Sequence, residues 1–262
     1  MLRRADTIPE GQPKFMIGTL SYRAVYPVAH ASMMAMAVTC PNVTDLLCVL
    51  DTYLHCARNK IANEAIKAYR RGTATHLLWL DDDMIFPHYV ETKREDGTST
   101  KVHLAQKLWA HKQPVVSAVY YKADDAKPII MDEECTFLNT VPTTGLIRAG
   151  VVGFGCVLMD IKVLVDMKKR YQDELFQMPL IPGLPVLDEE GNRKVDEDGV
   201  PVLGESRTIG EDLFFCRRLQ EMGIPLHVDC DVQCGHVKLE VIDRVSHEAT
   251  LDSQPEEAAR AA

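Results

Sequence analysis

Short apolar segments recur along the chain at the spacing expected of buried β-strands. Several are nearly continuous runs of apolar residues, such as HLLWL and PVVSAVYY, which is typical of strands covered on both faces. Segments of this kind lie at residues 14–20, 45–50, 75–80, 114–121, 146–160 and 225–229. The pattern therefore predicts a sheet whose strands are mostly buried.

Helical periodicity separates these runs. In residues 57–71 the apolar side chains recur every three or four positions, and Gly72 follows as a helix-ending residue. Further helices are predicted at residues 27–38, 104–111, 161–171 and 211–222. The alternation of strand and helix predicts an α/β fold, with a Rossmann-like, mostly parallel central sheet flanked by helices.

Residues 14–240 are predicted to form a single domain, with tails at 1–13 and 246–262. Residues 88–103 are polar and charged, which predicts a surface loop. Residues 180–206 are rich in Pro, Gly and acidic residues, and two stretches within them, VLDEEGNRKV and VDEDGVPVL, resemble each other. This insertion is predicted to be a hairpin or a flexible flap.

Composition narrows the class of protein. The chain has 262 residues, of which 46% are hydrophobic, so it can bury a core without disulfides. Its net charge of −9 disfavours non-specific binding to nucleic acid or anionic membranes. The eight cysteines form no CxxC pair, and the chain has neither a signal-peptide apolar region nor a membrane-spanning apolar run. We therefore expect a cytoplasmic protein with reduced thiols.

Three consecutive carboxylates, Asp81, Asp82 and Asp83, follow the strand-like segment LLWL. They repel each other at a strand end unless a divalent cation lies among them, and oxygen ligands suit Mg²⁺ or Mn²⁺. Because side chains alternate along a strand, Asp81 and Asp83 are expected to share a face. The alternative is a solvated acidic turn or a helix cap.

Three other features have functional interpretations. Glu211 and Asp212 open a predicted helix, where a carboxylate can stay ionised and act as a general base, or simply complement the helix dipole. His236 follows a strand and is either a metal ligand or a structural histidine. Arg58 is either a phosphate or base contact or one half of a surface ion pair. GxGxxG, P-loop and GxSxG motifs are all missing from the sequence.

Five short motifs, taken in chain order, resemble the GT-A glycosyltransferases. The nearest likeness is to the family 2-like enzymes of bacteria and bacteriophages. The motifs are ARN (57–59), LDDDM (80–84), GFGCVLM (153–159), GEDLFFCRRLQEMGI (210–224) and VQCGHV (232–237). The resemblance implies a GT-A fold, the fold of nucleotide-diphospho-sugar transferases, over about residues 14–240.

The resemblance also implies roles for the donor side of a site. Asp81 and Asp83, as the DxD motif, and His236, as a third ligand, would hold Mn²⁺ or Mg²⁺ and through it the donor diphosphate. Asp82 would contact the donor ribose or sugar, and Arg58 would contact the nucleotide.

The remaining roles concern the base and the acceptor. Asp212, or less favourably Glu211, matches the base of inverting members. Ser21 lies where the nucleobase usually packs. Gly153 would line the sugar and acceptor side.

The resemblance implies transfer of a sugar from a nucleotide-diphosphate donor to an acceptor hydroxyl, with inversion of configuration. Among the donors, a UDP-sugar is the one most favoured. A glycan, a lipid-linked sugar, a protein and a hydroxylated nucleobase stay open as acceptors. No QxxRW-type segment is evident, which favours single transfer over polymerisation. The rivals are a nucleotidyltransferase, another metal-dependent phosphate-handling enzyme, and an inactive binding module of GT-A shape.

Overall fold

The computed structural model describes residues 5–21, 26–50, 53–93, 97–122, 127–181, 183, 185–186, 193–196 and 199–237. A 3-10 helix at Ala5–Thr7 precedes the first strand. The helices are α1 (Pro27–Thr39), α2 (Leu54–Arg70), α3 (Leu104–Ala110), α4 (Ile161–Tyr171) and α5 (Glu211–Glu221). The strands are β1 (Phe15–Ser21), β2 (Val43–Leu50), β3 (His76–Asp81), β4 (Met84–Ile85), β5 (Tyr89–Lys93), β6 (Ser99–His103), β7 (Val115–Val119), β8 (Ile130–Met131), β9 (Leu146–Ala149), β10 (Val151–Val152), β11 (Cys156–Asp160), β12 (Leu180–Ile181), β13 (Arg207–Thr208), β14 (Leu226–Gln233) and β15 (Gly235–His236).

A seven-stranded sheet forms the centre of the fold, in the order β2-β1-β3-β11-β7-β14-β9. Strands β2, β1, β3, β7 and β14 run in one direction, while β11 and β9 run against them. The carboxyl ends of the five co-directional strands therefore meet at one edge, where the amino end of β11 also lies.

Strand β3 shows why the sheet is covered on both faces. Leu77 and Trp79 point into one apolar layer, and Leu78 and Leu80 point into the other. Buried residues of α2, α4 and α5 belong to the first layer, and those of α1 and α3 to the second. The predicted fold class, an α/β fold with a mostly parallel central sheet flanked by helices, is confirmed.

The predicted helices lie close to the observed helices along the chain. All five predicted helices are present, although α2 begins at Leu54, three residues before the expected start. The prediction of a surface loop at residues 88–103 is wrong, because β5 and β6 pair there as antiparallel strands. Tyr89, Val90 and Val102 supply strand-forming side chains, and Val90 is buried, which outweighs the polar composition.

The insertion at 180–206 contains antiparallel pairing in its described residues. Isolated bridges within it link Pro185 with Leu203 and Val195 with Pro201, and β12 pairs with β13, which directly follows the insertion. A role as a mobile flap stays a prediction. Residues 1–4 of the first predicted tail, the last three residues of the predicted domain and the whole tail at 246–262 lie outside the described residues. No described helix has both the length and the apolar character needed to cross a membrane.

Candidate active site

The predicted site residues gather at the edge where the co-directional strands end. Ser21 ends β1, Asp81 ends β3 and Tyr120 follows β7. The amino end of β11 joins this edge, since the Asp81 N–H donates to the Gly155 carbonyl at 3.1 Å. Chain reversal at β11 therefore brings the glycine-rich segment beside the acidic triplet.

Arg58 forms the centre of a buried charge cluster. Its Nε lies 3.2 Å from Oε1 of Glu211 and 3.3 Å from Oδ1 of Asp212, and its Nη2 lies 3.4 Å from Oδ2 of Asp81. The guanidinium carbon lies 5.7 Å from the ring centroid of Trp79. Arg58 is 1% exposed, so its charge acts where solvent screens little.

One positive charge faces three carboxylates in this cluster, and the pKa values of Asp212 and Asp81 are raised. Burial, reinforced by Glu211 and Asp81 and opposed by Arg58, raises the pKa of Asp212 to about 8. Burial likewise raises the pKa of Asp81 to about 6, against the pull of Arg58. Burial alone would lower the pKa of Arg58, but the three carboxylates raise it overall, so the guanidinium stays charged.

Asp212 and Glu211 differ in what they can reach. The Glu211 side chain is 6% exposed and is engaged by Arg58, whereas the Asp212 side chain is 27% exposed. The Phe154 N–H donates to Oδ2 of Asp212 at 3.1 Å, while Oδ1 is buried. Both residues occupy the first turn of α5, where the helix dipole favours a negative charge.

His236 meets Asp83 on the other side of the cluster. Strand β15 pairs with β4, and the Val237 N–H donates to the Asp83 carbonyl at 2.7 Å. Nδ1 of His236 lies 3.0 Å from the Tyr121 carbonyl, which can only accept, so this nitrogen carries the proton. Nε2 is left facing Oδ2 of Asp83 at 3.2 Å. The hydrogen bond with Asp83 raises the pKa of His236.

This arrangement fits a divalent ion that arrives with a phosphate ligand. No group of three His, Cys, Asp or Glu side chains forms a ready metal cage within the described ranges. Asp83 and His236 nevertheless present a carboxylate and a correctly oriented imidazole, and Asp81 lies beside them but turns toward Arg58. Mg²⁺ is usually held by one or two carboxylates plus substrate phosphates, and a ligating histidine usually donates its other N–H, as here.

A cavity of about 410 Å³ lies over the acidic triplet. Its lining residues are Leu20, Tyr53, Leu54, Asp81, Asp82, Asp83 and Met178. Ser21 donates a side-chain hydrogen bond to Asp82, which favours the carboxylate, although burial raises the pKa of Asp82 overall. The cavity thus has an acidic wall and an apolar wall.

Gly153 is close to the cluster but has no room for a side chain. A Cβ at this position would lie 1.9 Å from the hydroxyl oxygen of Tyr120. The same hydroxyl accepts a hydrogen bond from the Gly155 N–H at 3.0 Å. The structure therefore explains glycine at 153 by the approach of Tyr120, and a sugar contact there stays a prediction.

Two residues that line the cavity, Tyr53 and Met178, escaped the sequence analysis. Tyr120, which was expected on this rim at the end of a buried strand, supports the glycine-rich segment. Tyr53 immediately precedes α2, and an exposed aromatic residue at the start of a helix could have been recognised in the sequence as a candidate ligand contact. Met178 lies in a long connection and is brought over the triplet only by tertiary packing.

Comparisons with known proteins extend only to the fold. A scan against protein-family models finds no match, and a search of curated proteins finds no relative. Among solved structures, A197 from STIV is similar with a TM-score of 0.51 and 11% identity, over 88% of this chain and 86% of that one. At this identity the similarity shows a shared fold alone.

Two further solved structures score lower. GalNAc-T7 with UDP, GalNAc and Mn²⁺ has a TM-score of 0.49 and 9% identity, over 88% of this chain and 45% of that chain. The inositol-1-phosphate CTP transferase from T. maritima has a TM-score of 0.41 and 10% identity, over 92% and 96%. At these scores the similarity supports no conclusion about activity.

Proposed function

We propose that this chain is a metal-dependent glycosyltransferase of the GT-A type that transfers a sugar from a nucleotide-diphosphate donor to an acceptor hydroxyl with inversion. The observation that carries the proposal is the meeting of two functional groups at one edge of the sheet. The Asp83–His236 pair is suited to a divalent ion, and Asp212 is suited to a base. Arg58 is ion-paired with Asp212 and with Asp81, which lies two residues before Asp83.

In this proposal the cavity over the triplet receives the donor. Tyr53 and Leu20 offer apolar surface to the nucleobase, and Ser21 and Asp82 lie where the ribose hydroxyls would bind. Asp81, Asp83 and His236 would hold Mn²⁺ or Mg²⁺ beside the diphosphate. The ion, when bound, supplies positive charge that stabilises the departing diphosphate. A UDP-sugar is the first donor to test.

Asp212 is the base in the proposed reaction. In its ionised form, whose share grows as pH rises toward its pKa of about 8, its Oδ2 accepts the proton of the acceptor hydroxyl, and the acceptor oxygen forms a bond to the anomeric carbon. The bond from that carbon to the β-phosphate oxygen breaks, and the nucleoside diphosphate leaves with the electron pair. Attack from the face opposite the leaving group inverts the configuration.

Arg58 is a positioning residue in this account. Its guanidinium is buried and engaged by three carboxylates, so direct contact with the nucleotide, which the resemblance implied, stays a prediction. The planar guanidinium donates from two of its nitrogens and so holds the carboxylates of Asp81 and Asp212 at a fixed separation.

The proposed function is tested by incubating the full chain with Mn²⁺ and a panel of nucleotide-diphosphate sugars while measuring released nucleoside diphosphate. We expect slow, metal-dependent donor hydrolysis that EDTA abolishes. Pyrophosphate release from a nucleoside triphosphate and a sugar phosphate would favour a nucleotidyltransferase instead. Tight UDP binding without turnover of any donor would favour a binding module, and no binding to any donor would refute the proposal.

A further inference from the structure

Tyr120 contacts both halves of the candidate active site. It follows β7 at the edge where the co-directional strands end, and it is 6% exposed. Its ring meets the imidazole of His236 edge-on, with centroids 6.3 Å apart and an interplanar angle of 78°. Its hydroxyl reaches the backbone of residues 153–155. Tyr120 therefore touches the imidazole of the Asp83–His236 pair and also the segment that hydrogen-bonds Asp212.

The two glycines of this segment are explained by the space that Tyr120 occupies. Neither Gly153 nor Gly155 has a positive φ, so backbone conformation does not require glycine at either position. A Cβ at 153 would lie 1.9 Å from the Tyr120 hydroxyl oxygen, and a Cβ at 155 would lie 2.8 Å from Cζ of the same ring. Glycines on both sides of Phe154 also leave the backbone easy to rotate unless groups outside the segment hold it.

Successive backbone groups of this segment are each engaged by a different part of the site. The Phe154 N–H donates to Oδ2 of Asp212 at 3.1 Å, and the Gly155 N–H donates to the Tyr120 hydroxyl at 3.0 Å. The Gly155 carbonyl accepts from the Asp81 N–H at 3.1 Å. These groups belong to adjacent planar peptide units, so a rotation that breaks one hydrogen bond displaces its neighbours.

The orientation of the Asp212 carboxylate depends on this segment. Oδ2 receives its hydrogen bond from the Phe154 N–H, whereas Oδ1 faces Nε of Arg58. Asp81 and Glu211 are like charges close to Asp212. Because a carboxylate among like charges is repelled by them, a fixed N–H donor is needed to keep Oδ2 in one place.

We propose that the Tyr120 hydroxyl is a positioning group for the base. By accepting from the Gly155 N–H, it fixes the segment so that the Phe154 N–H holds Oδ2 of Asp212 where the acceptor hydroxyl is deprotonated. Tyr120 acts through this segment and does not touch the reacting atoms. The inference rests on the proposed glycosyltransferase function and adds a residue to the machinery that serves its base.

Tyr120→Phe removes the hydroxyl and keeps the ring, so the contact with His236 is retained. Metal-dependent hydrolysis of nucleotide-diphosphate sugars by the full chain, with water as the acceptor, should lose about 10–100-fold in kcat. KM for the donor, and UDP affinity in the presence of Mn²⁺, should be unchanged. Tyr171→Phe is the matched control, because its hydroxyl donates to Glu221 at the end of α5 opposite the site. This control should hydrolyse donors as the wild type does.

Two measurements test the contact itself without any substrate. The Gly155 amide hydrogen should exchange with solvent up to about tenfold faster in Tyr120→Phe, because it loses its buried acceptor. Gly153→Ala should lower the melting temperature of the wild type more than that of Tyr120→Phe, because the variant lacks the oxygen that lies 1.9 Å from the new Cβ. The nearest remaining atom, Cζ of the ring, lies 3.0 Å away.

The outcomes separate this inference from the proposed function. If the wild type hydrolyses a donor and Tyr120→Phe does so at the same rate, the positioning role is overturned while the function stands. A loss that lies wholly in donor KM, an equal loss in Tyr171→Phe, or a Gly155 amide that exchanges at the wild-type rate would also overturn it. If the wild type hydrolyses no donor, the proposed function fails, and the base-positioning role fails with it even where exchange and melting confirm the contact.

Discussion

Nε2 of His236 lies 3.2 Å from Oδ2 of Asp83, although 153 residues separate them in the chain. The pairing of β15 with β4 brings the two segments together. Because Nδ1 of the same ring donates to the Tyr121 carbonyl, Nε2 carries the lone pair of the neutral ring. Either a proton or a metal ion can therefore be held between Nε2 of His236 and Oδ2 of Asp83.

Metal binding should compete with this proton. The raised pKa of His236 means that the ring keeps its proton to a higher pH than an isolated histidine. Mn²⁺ affinity, measured by calorimetry with UDP present, should therefore weaken as pH falls below that pKa, by at most about tenfold per pH unit. The part of this slope due to the ring should be absent in His236→Ala. A wild-type affinity independent of pH across this range would contradict the ligand role of His236.

Asp212→Asn should separate binding from catalysis. The amide keeps the shape of the side chain but cannot accept the acceptor proton, so transfer should fall by about 100-fold or more. UDP affinity in the presence of Mn²⁺ should be unchanged. The same substitution at Asp166, in an exposed ion pair with Lys162, is the control and should leave both quantities unaltered. Wild-type turnover in Asp212→Asn would rule out this base.

Arg58→Met should destabilise the protein strongly. It would leave the carboxylates of Asp81, Glu211 and Asp212 without their buried partner, which costs about 3–5 kcal/mol of unfolding free energy. Lys67→Met on the same helix removes only an exposed pair and should cost less than about 1 kcal/mol. Urea unfolding measures both, and equal losses would mean that Arg58 does not bind the cluster together.

The charge cluster also predicts a pH dependence of stability in the metal-free protein. The folded-state pKa of Asp212 is about 8 and its ordinary value is 3.8, so the folded protein holds this proton more tightly than the unfolded chain. The contribution to stability is full below pH 3.8 and is lost as pH rises toward 8. Its slope should reach at most about 1.4 kcal/mol per pH unit.

Asp212→Asn tests this contribution, since the amide does not titrate. The variant should gain stability relative to the wild type as pH rises from 5 to about 8, measured by urea unfolding in EDTA. A difference between variant and wild type that does not change with pH would show that Asp212 titrates normally.

The acidic edge of the site could be predicted from the sequence because the residues that mark it are adjacent in the chain. Asp81–Asp83 follow a buried strand, and a strand end in a parallel sheet is where ligands bind. The roles of His236 and Asp212 came from the resemblance, because their approach to the triplet depends on tertiary contacts. The partners of Arg58 were not predictable, since they require the start of α2 to face the start of α5.

The missed elements have the same explanation. Strands β5 and β6 are rich in polar and charged residues, so composition indicated a loop, and their pairing, with Val90 buried, reveals the strands.

The central claim is that Asp83 and His236 hold a divalent ion together with the donor diphosphate. Calorimetric titration of UDP into the full chain, with Mn²⁺ or with EDTA, tests it most directly. We predict metal-dependent binding that weakens by about 10–100-fold in Asp83→Ala and His236→Ala. His30→Ala, at an exposed position on α1, should bind as the wild type does. UDP affinity that is equal with and without Mn²⁺, or unaffected by Asp83→Ala and His236→Ala, would contradict the claim.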